Sequence, residues 1–213
     1  MNKKLCLIFA LMTHLISARA ETIKFSADSM SGTAGSKSSV TILKGNAKVT
    51  TQNMQISADS IEISGDNFRL IKAEGSVEGR NTETNMDFSC GNMLYDRNTK
   101  IARLENSVKL TDIENGLTAQ AQIIEYSETA ETAVMQIQVN ITQKDNVCTC
   151  AHAIYKKREQ LLDMSGNPSV VQKGDTFRAQ NITLNLQSQE IQLSGRVKGS
   201  VSSSQPESQA GEE

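Results

Sequence analysis

The chain has 213 residues, with 22 Lys and Arg against 24 Asp and Glu (formal net charge -2), 38% hydrophobic residues, 4% aromatic residues and no Trp. A near-neutral chain without a basic patch excludes the electrostatic footprint of a nucleic-acid binder, so nucleic acid is not an expected partner. The length is enough for one domain with a sizeable core.

At the N-terminus, Lys3 and Lys4 precede an apolar run from Leu5 to Ile16, and Ala18-Arg19-Ala20 has the small-x-small form of a cleavage site. Residues 1–20 therefore read as a secretory signal peptide. The run is too short to span a bilayer comfortably, and no later stretch is more apolar, so a soluble exported protein is expected. Without Lys3, Lys4 and Arg19 the balance becomes 19 basic to 24 acidic residues. The last residues (201–213) are small, polar and acidic, the composition of a disordered tail.

Between these ends, residues 21–200 repeat one unit, clearest from Ile56 to Val77 (ISADSIEISGDNFRLIKAEGSV). Apolar residues two apart leave a strand on one face. Ile56 and Ala58 share a face, but Ile61 lies three residues on, a parity change that implies a corner or bulge. Gly65, Asp66 and Asn67 make the turn, and Ile71, Ala73, Gly75 and Val77 return. The opening recurs at Phe25, Ile56, Phe88, Leu117, Cys148 and Phe177, at intervals of 31, 32, 29, 31 and 29 residues. The closing recurs at Ala47, Val77, Val108, Val139, Pro168 and Val197, and four closings carry Gly two residues earlier (Gly45, Gly75, Gly166, Gly195). A fixed period near 30 marks a stacked architecture in which no hairpin buries its apolar face alone.

In chain order, the first repeat has a Gly/Ser-rich connection over residues 31–39. The third turns at Asp96-Arg97-Asn98-Thr99. The fourth, rich in Ala, Glu and Gln over residues 119–133, is still expected as strand–turn–strand because Ile137, Val139 and Ile141 alternate. The fifth turns at a charged run, Lys156 to Glu159, and meets Pro168, which implies an edge or bulge. The expected product is all-β: about twelve antiparallel strands, mostly under eight residues each, in one stack.

Chemistry is sparse. His152 is the only His after residue 20, so nucleophilic devices would rest on it alone. Cys148, Cys150 and His152 look like a metal trio, but the register puts His152 at a water-facing corner and the cysteines inward, with no fourth ligand at typical spacing. No cofactor, metal or catalytic residue is expected. Cys90, Cys148 and Cys150 occupy opening sites filled elsewhere by apolar residues and read as buried free thiols. Glu62, Asp66 and Glu78 read as solvated. The inward set (Phe25, Met30, Ile56, Ile61, Ile63, Phe88, Met93, Tyr95, Leu117, Ile124, Tyr155, Phe177, Ile182, Leu184) forms an apolar trough along the stack, and its end strands leave edges that invite another copy or a partner sheet.

The runs from Gly45 to Ile63 (GNAKVTTQNMQISADSIEI), from Leu162 to Val170, and from Phe177 to Leu184 resemble the OstA-like (LptA) family of periplasmic lipopolysaccharide-transport proteins. The shared pattern is G-N-[AP]-x-V followed by apolar-x-[AG]-[DN]-x-I, and it covers about Thr22 to Gly199. Repeats three and four depart from it, with Glu105-Asn106 and Ile137-Gln138 where Gly is expected. The resemblance implies an open, twisted, solenoid-like antiparallel β-jellyroll whose interior holds acyl chains of lipopolysaccharide or a related glycolipid. It also implies head-to-tail joining with itself and with other jellyroll transport proteins, forming a bridge to the outer membrane. The expected function is thus a non-enzymatic periplasmic carrier. The alternatives are a structural or adhesive β-solenoid with a closed core and a polysaccharide-processing enzyme on such a stack.

Overall fold

Two-residue apolar spacing, a parity change and a polar turn together dictate a bent hairpin, and the chain stacks six of them. The computed structural model describes residues 22–33 and 40–202, so the signal-peptide reading, most of the Gly/Ser connection and nearly all of the tail lie outside the described residues. The strands are β1 (Lys24–Ser26), β2 (Ser29–Gly32), β3 (Thr41–Thr50), β4 (Met54–Ser64), β5 (Leu70–Asn81), β6 (Met86–Asp96), β7 (Ile101–Asp112) and β8 (Leu117–Ser127). They continue with β9 (Thr132–Gln143), β10 (Asn146–Lys156), β11 (Leu161–Ser165), β12 (Ser169–Gln172), β13 (Asp175–Arg178), β14 (Asn181–Asn185), β15 (Ile191–Ser194) and β16 (Lys198–Ser200). All belong to one 16-stranded sheet in which every pairing is antiparallel.

The repeat reading and the antiparallel stack hold, including strand–turn–strand for the Ala/Glu/Gln-rich fourth repeat (β8, β9). Strand length does not. The long strands run 10, 11 or 12 residues because each bends through the corner and stays paired on both sides. At the corner the register slips, for example between the Ser57–Glu78 and Ser60–Glu74 pairs of β4 and β5, and between the Glu74–Asn92 and Val77–Cys90 pairs of β5 and β6. The closing strand supplies the bend with two successive left-handed residues: Gly45-Asn46, Gly75-Ser76, Asn106-Ser107, Ile137-Gln138, Gly166-Asn167 and Gly195-Arg196. The periodic Gly thus marks a fold line, where a left-handed backbone favours a residue without a Cβ. Gly75 shows a second constraint, since a Cβ there would lie 2.3 Å from Asp59 Oδ2 on the opening strand. In repeat three the Gly has changed strands: Gly91 faces Asn106, whose Cβ lies 2.8 Å from where a Gly91 Cβ would be.

The fold line divides the sheet into two walls. Wall A carries β1, β12, β13, β16 and the halves of β3 to β10 paired with them; wall B carries β2, β11, β14, β15 and the other halves. Their inner faces form a single hydrophobic cluster. Opposite the fold line, the hairpin turns stack along two rims through backbone bonds, such as Thr82 N–H to Asn53 O (2.9 Å) on wall A and Glu128 N–H to Lys100 O (3.0 Å) on wall B. Pro168 sits at the corner between β11 and β12, where it interrupts no ladder.

Candidate functional site

The registers place all the sequence-predicted groove residues on the inner faces. On wall A, Phe25, Ile56, Phe88 and Phe177 share one cross-strand row with Val49, Gly79, Leu110 and Val170, and Leu117 lies in the row beside the rim, opposite Asp112. On wall B, Met30, Ile61, Met93, Ile124 and Ile182 form one row, and Ile63, Tyr95, Tyr155 and Leu184 form the next. Eleven of these fourteen are at most 8% exposed, Phe177 is half-buried, and Phe25 (50%) and Met30 (62%) are exposed at the β1/β2 edge.

These inner faces meet as a packed interior, not an empty trough. Leu43, Ile61, Leu104, Leu117, Ile124 and Tyr155 are fully buried within one continuous cluster along the stack. A concavity of about 550 Å³ lies on the outer face of wall A, among Lys48, Ser57, Arg80, Asp87, Lys109 and their neighbours on β3 to β7. Its side chains are mostly polar and its cations are those of an ordinary solvated sheet.

Across the rims the walls are joined by side chains, a feature the sequence reading missed. Asp112, at the end of β7, is fully buried and accepts from Lys157 Nζ (2.8 Å), Tyr155 OH (2.8 Å), Asn115 Nδ2 (2.8 Å) and Asn115 N–H (3.1 Å). Lys157 also reaches Glu114 at 2.9 Å. Burial pushes the Asp112 carboxyl upward, but the Lys157, Tyr155 and Asn115 bonds outweigh it and hold it below its ordinary value. Burial likewise lowers the Lys157 ammonium less than Asp112 and Glu114 raise it. Burial and the adjacent Asp112 carboxylate both push the Tyr155 hydroxyl up. The charged turn expected from Lys156 to Glu159 is present but not uniformly solvated: Arg158 and Glu159 are exposed, while Lys157 is 5% exposed because it is drawn over the rim by an otherwise unpaired carboxylate. Further along, Asn146 Nδ2 donates to Gln189 Oε1 at 2.7 Å. Toward the other end, Asn81 and Thr84 of wall A face Glu128 and Tyr126 of wall B in weaker polar contacts, Tyr126 with Thr84 and Glu128 with Asn81, in which Asn81 Nδ2, Thr84 Oγ1, Tyr126 OH and Glu128 Oε1 reach no full hydrogen-bond geometry. A signal existed: Tyr95, Tyr126 and Tyr155, the three Tyr of the chain, recur at about the repeat period.

Cys148 and Cys150 point inward and His152 does not, so the three do not converge. Burial raises the Cys90 and Cys150 thiols to about 11 and Cys148 to about 12. Glu62, Asp66 and Glu78 lie at outer or turn positions.

The family model described as "LptA/(LptD N-terminal domain) LPS transport protein" matches residues 24–160 and 130–190, two segments whose overlap a repeating chain allows. No curated protein matches. Among solved structures, the crystal structure of LptH, the LptA homologous periplasmic component of the conserved lipopolysaccharide transport device from Pseudomonas aeruginosa, is similar at 12% identity and a TM-score of 0.26. That similarity covers 87% of this chain and 98% of that one.

Proposed function

We propose, because this chain belongs to the LptA/LptD N-terminal domain family of lipopolysaccharide-transport proteins, that it is a non-enzymatic periplasmic carrier. Its inner faces take up acyl chains of lipopolysaccharide or a related glycolipid and pass them along the stack toward the outer membrane. One observation carries the reading: the inner apolar row continues without a break from Phe25 to Val170 and Phe177, and the strands at both ends have an unpaired edge. Each buried methylene stabilises by about 0.8 kcal/mol, so acyl chains bind such a surface without a charged clamp. In this reading residues 1–20 are the export signal.

In this reading the free edges support one way for copies to join. Within the chain each closing strand pairs with the next opening strand, placing Gly79 opposite Phe88 and Val170 opposite Phe177. Joining β15 and β16 of one copy to β1 and β2 of the next continues that alternation, with Gly199 opposite Phe25 and Leu193 opposite Met30. Phe25 and Met30, exposed at the free edge, are then covered. A photocrosslinker at Phe25 should trap a second copy, or another jellyroll transport protein, through β16; crosslinks scattered over the walls would contradict the register.

The packed interior favours a second reading, a scaffold β-solenoid with a closed core. Lipid analysis separates the two. The carrier purified from the envelope under mild conditions brings acylated glycolipid in defined stoichiometry, whereas the scaffold brings none.

A further inference from the structure

We infer that the seam between the two rims is a gate on the interior, latched by Asp112, Tyr155 and Lys157 and hinged on the fold line. The two long sides of the fold differ in kind. Along the fold line the walls are one continuous backbone, bent at six pairs of left-handed residues. Along the seam they are joined through side chains: Lys157 and Tyr155 to Asp112, and Asn146 and Gln172 to Gln189. Separation there leaves both ladders intact and costs only those bonds and the apolar contact behind them. The seam is also uneven. Around Asp112 both carboxylate oxygens have two donors each, while the stretch at Asn81, Thr84, Tyr126 and Glu128 is held by weaker contacts and buries four polar atoms that reach no full hydrogen-bond geometry. Half-satisfied buried polar groups gain solvation on exposure, so that stretch parts first and the Asp112 cluster holds the remainder. Since the described interior is filled, cargo of any size is admitted only by parting the walls. The purpose of the gate rests on the carrier reading; its existence does not.

The buried Cys148 thiol, 1% exposed on the inner face of wall A, is a built-in reporter. The test uses the full chain with Cys6, Cys90 and Cys150 replaced by Ala, and follows thiol labelling at increasing urea below the unfolding transition. Lys157→Ala leaves Asp112 unpaired unless the seam opens. It should raise the labelling rate about ten-fold or more, with little urea dependence, as expected of local opening. Arg80→Gln, which removes an exposed ion pair to Asp87 on the outer face, should leave the rate unchanged. If Lys157→Ala does not fold cooperatively, Tyr155→Phe, which keeps the ion pair, should still raise the rate several-fold without urea dependence. Labelling that tracks global unfolding in the latch variants, or an unchanged rate, overturns the gate. Adding hexa-acylated lipid A to the folded proteins then tests the carrier separately. Fast local labelling that lipid A does not alter keeps the gate and removes the carrier.

Discussion

Phe88 lies over Gly79 on the neighbouring strand so closely that a Cβ on Gly79 would sit 2.1 Å from the ring Cζ. The Gly is the vacant half of a cross-strand pair in the row that also holds Ile56 and Leu110. Gly79→Val should therefore overpack wall A and cost about 1–3 kcal/mol. Urea unfolding should show that cost partly relieved when Phe88→Leu is added, a coupling that two independent sites would not give.

Ile137 occupies the corner position that four repeats fill with Gly. Its φ is +66 and its side chain is 52% exposed, so it is strained without packing in return. Ile137→Gly should raise stability by about 1 kcal/mol, the cost of a left-handed L-residue. Gly75→Ala should lower it, because the added methyl meets Asp59. Both are read from urea midpoints at unchanged slope.

Glu128 and Asp112 should give opposite pH dependences. Burial raises the Glu128 carboxyl, against weaker help from Tyr95, Lys100 and Asn81. The folded state thus prefers its protonated form, and stability is lost as pH rises from the unfolded value of 4.5 through the folded one. Glu128→Gln should accordingly stabilise by about 1 kcal/mol at pH 7 and not at pH 4. The Asp112 carboxyl is depressed, so its contribution is present above its unfolded value and lost as pH falls through the folded one. The Lys157 ammonium is raised, so its contribution holds below 10.5 and is lost as pH rises through the folded value. Thermal unfolding from pH 3 to 11 should find the latch intact across the middle of that range.

The cysteines should stay reduced. Cys148 and Cys150 are two apart on β10, and Cys90 on β6 is separated from them by β7, β8 and β9, roughly 19 Å at the usual strand spacing, too far to bridge. With thiols raised to about 11 and 12, Ellman's reagent should react slowly with Cys90, Cys148 and Cys150 in the native protein and fully with them on unfolding. A mass two units low would contradict this.

The fold was legible because one constraint recurs: the two-residue spacing, the parity change and the corner Gly each appear several times, so a loss in one repeat is corrected by the others. That is why the third and fourth corners could be located despite Asn106 and Ile137. Strand length was misjudged because the parity change at Ala58 to Ile61 looks the same whether a strand ends or bends. The inner-face positions were identified by periodicity, which tells inside from outside but not open from closed; whether facing side chains meet depends on wall separation, which no local pattern encodes. The seam escaped for a related reason. Asp112 and Lys157 are 45 residues apart, and a Lys in the run from Lys156 to Glu159 reads as solvated until a buried carboxylate is placed beside it.

The carrier account is tested most directly by photocrosslinking in living cells from Ile61 and Phe88 on the inner faces, with Lys109 on the outer face as reference. The account predicts an adduct of acylated glycolipid, identified by mass, at Ile61 and Phe88 and none at Lys109. No adduct from either inner position, or equal adducts from all three, would contradict it.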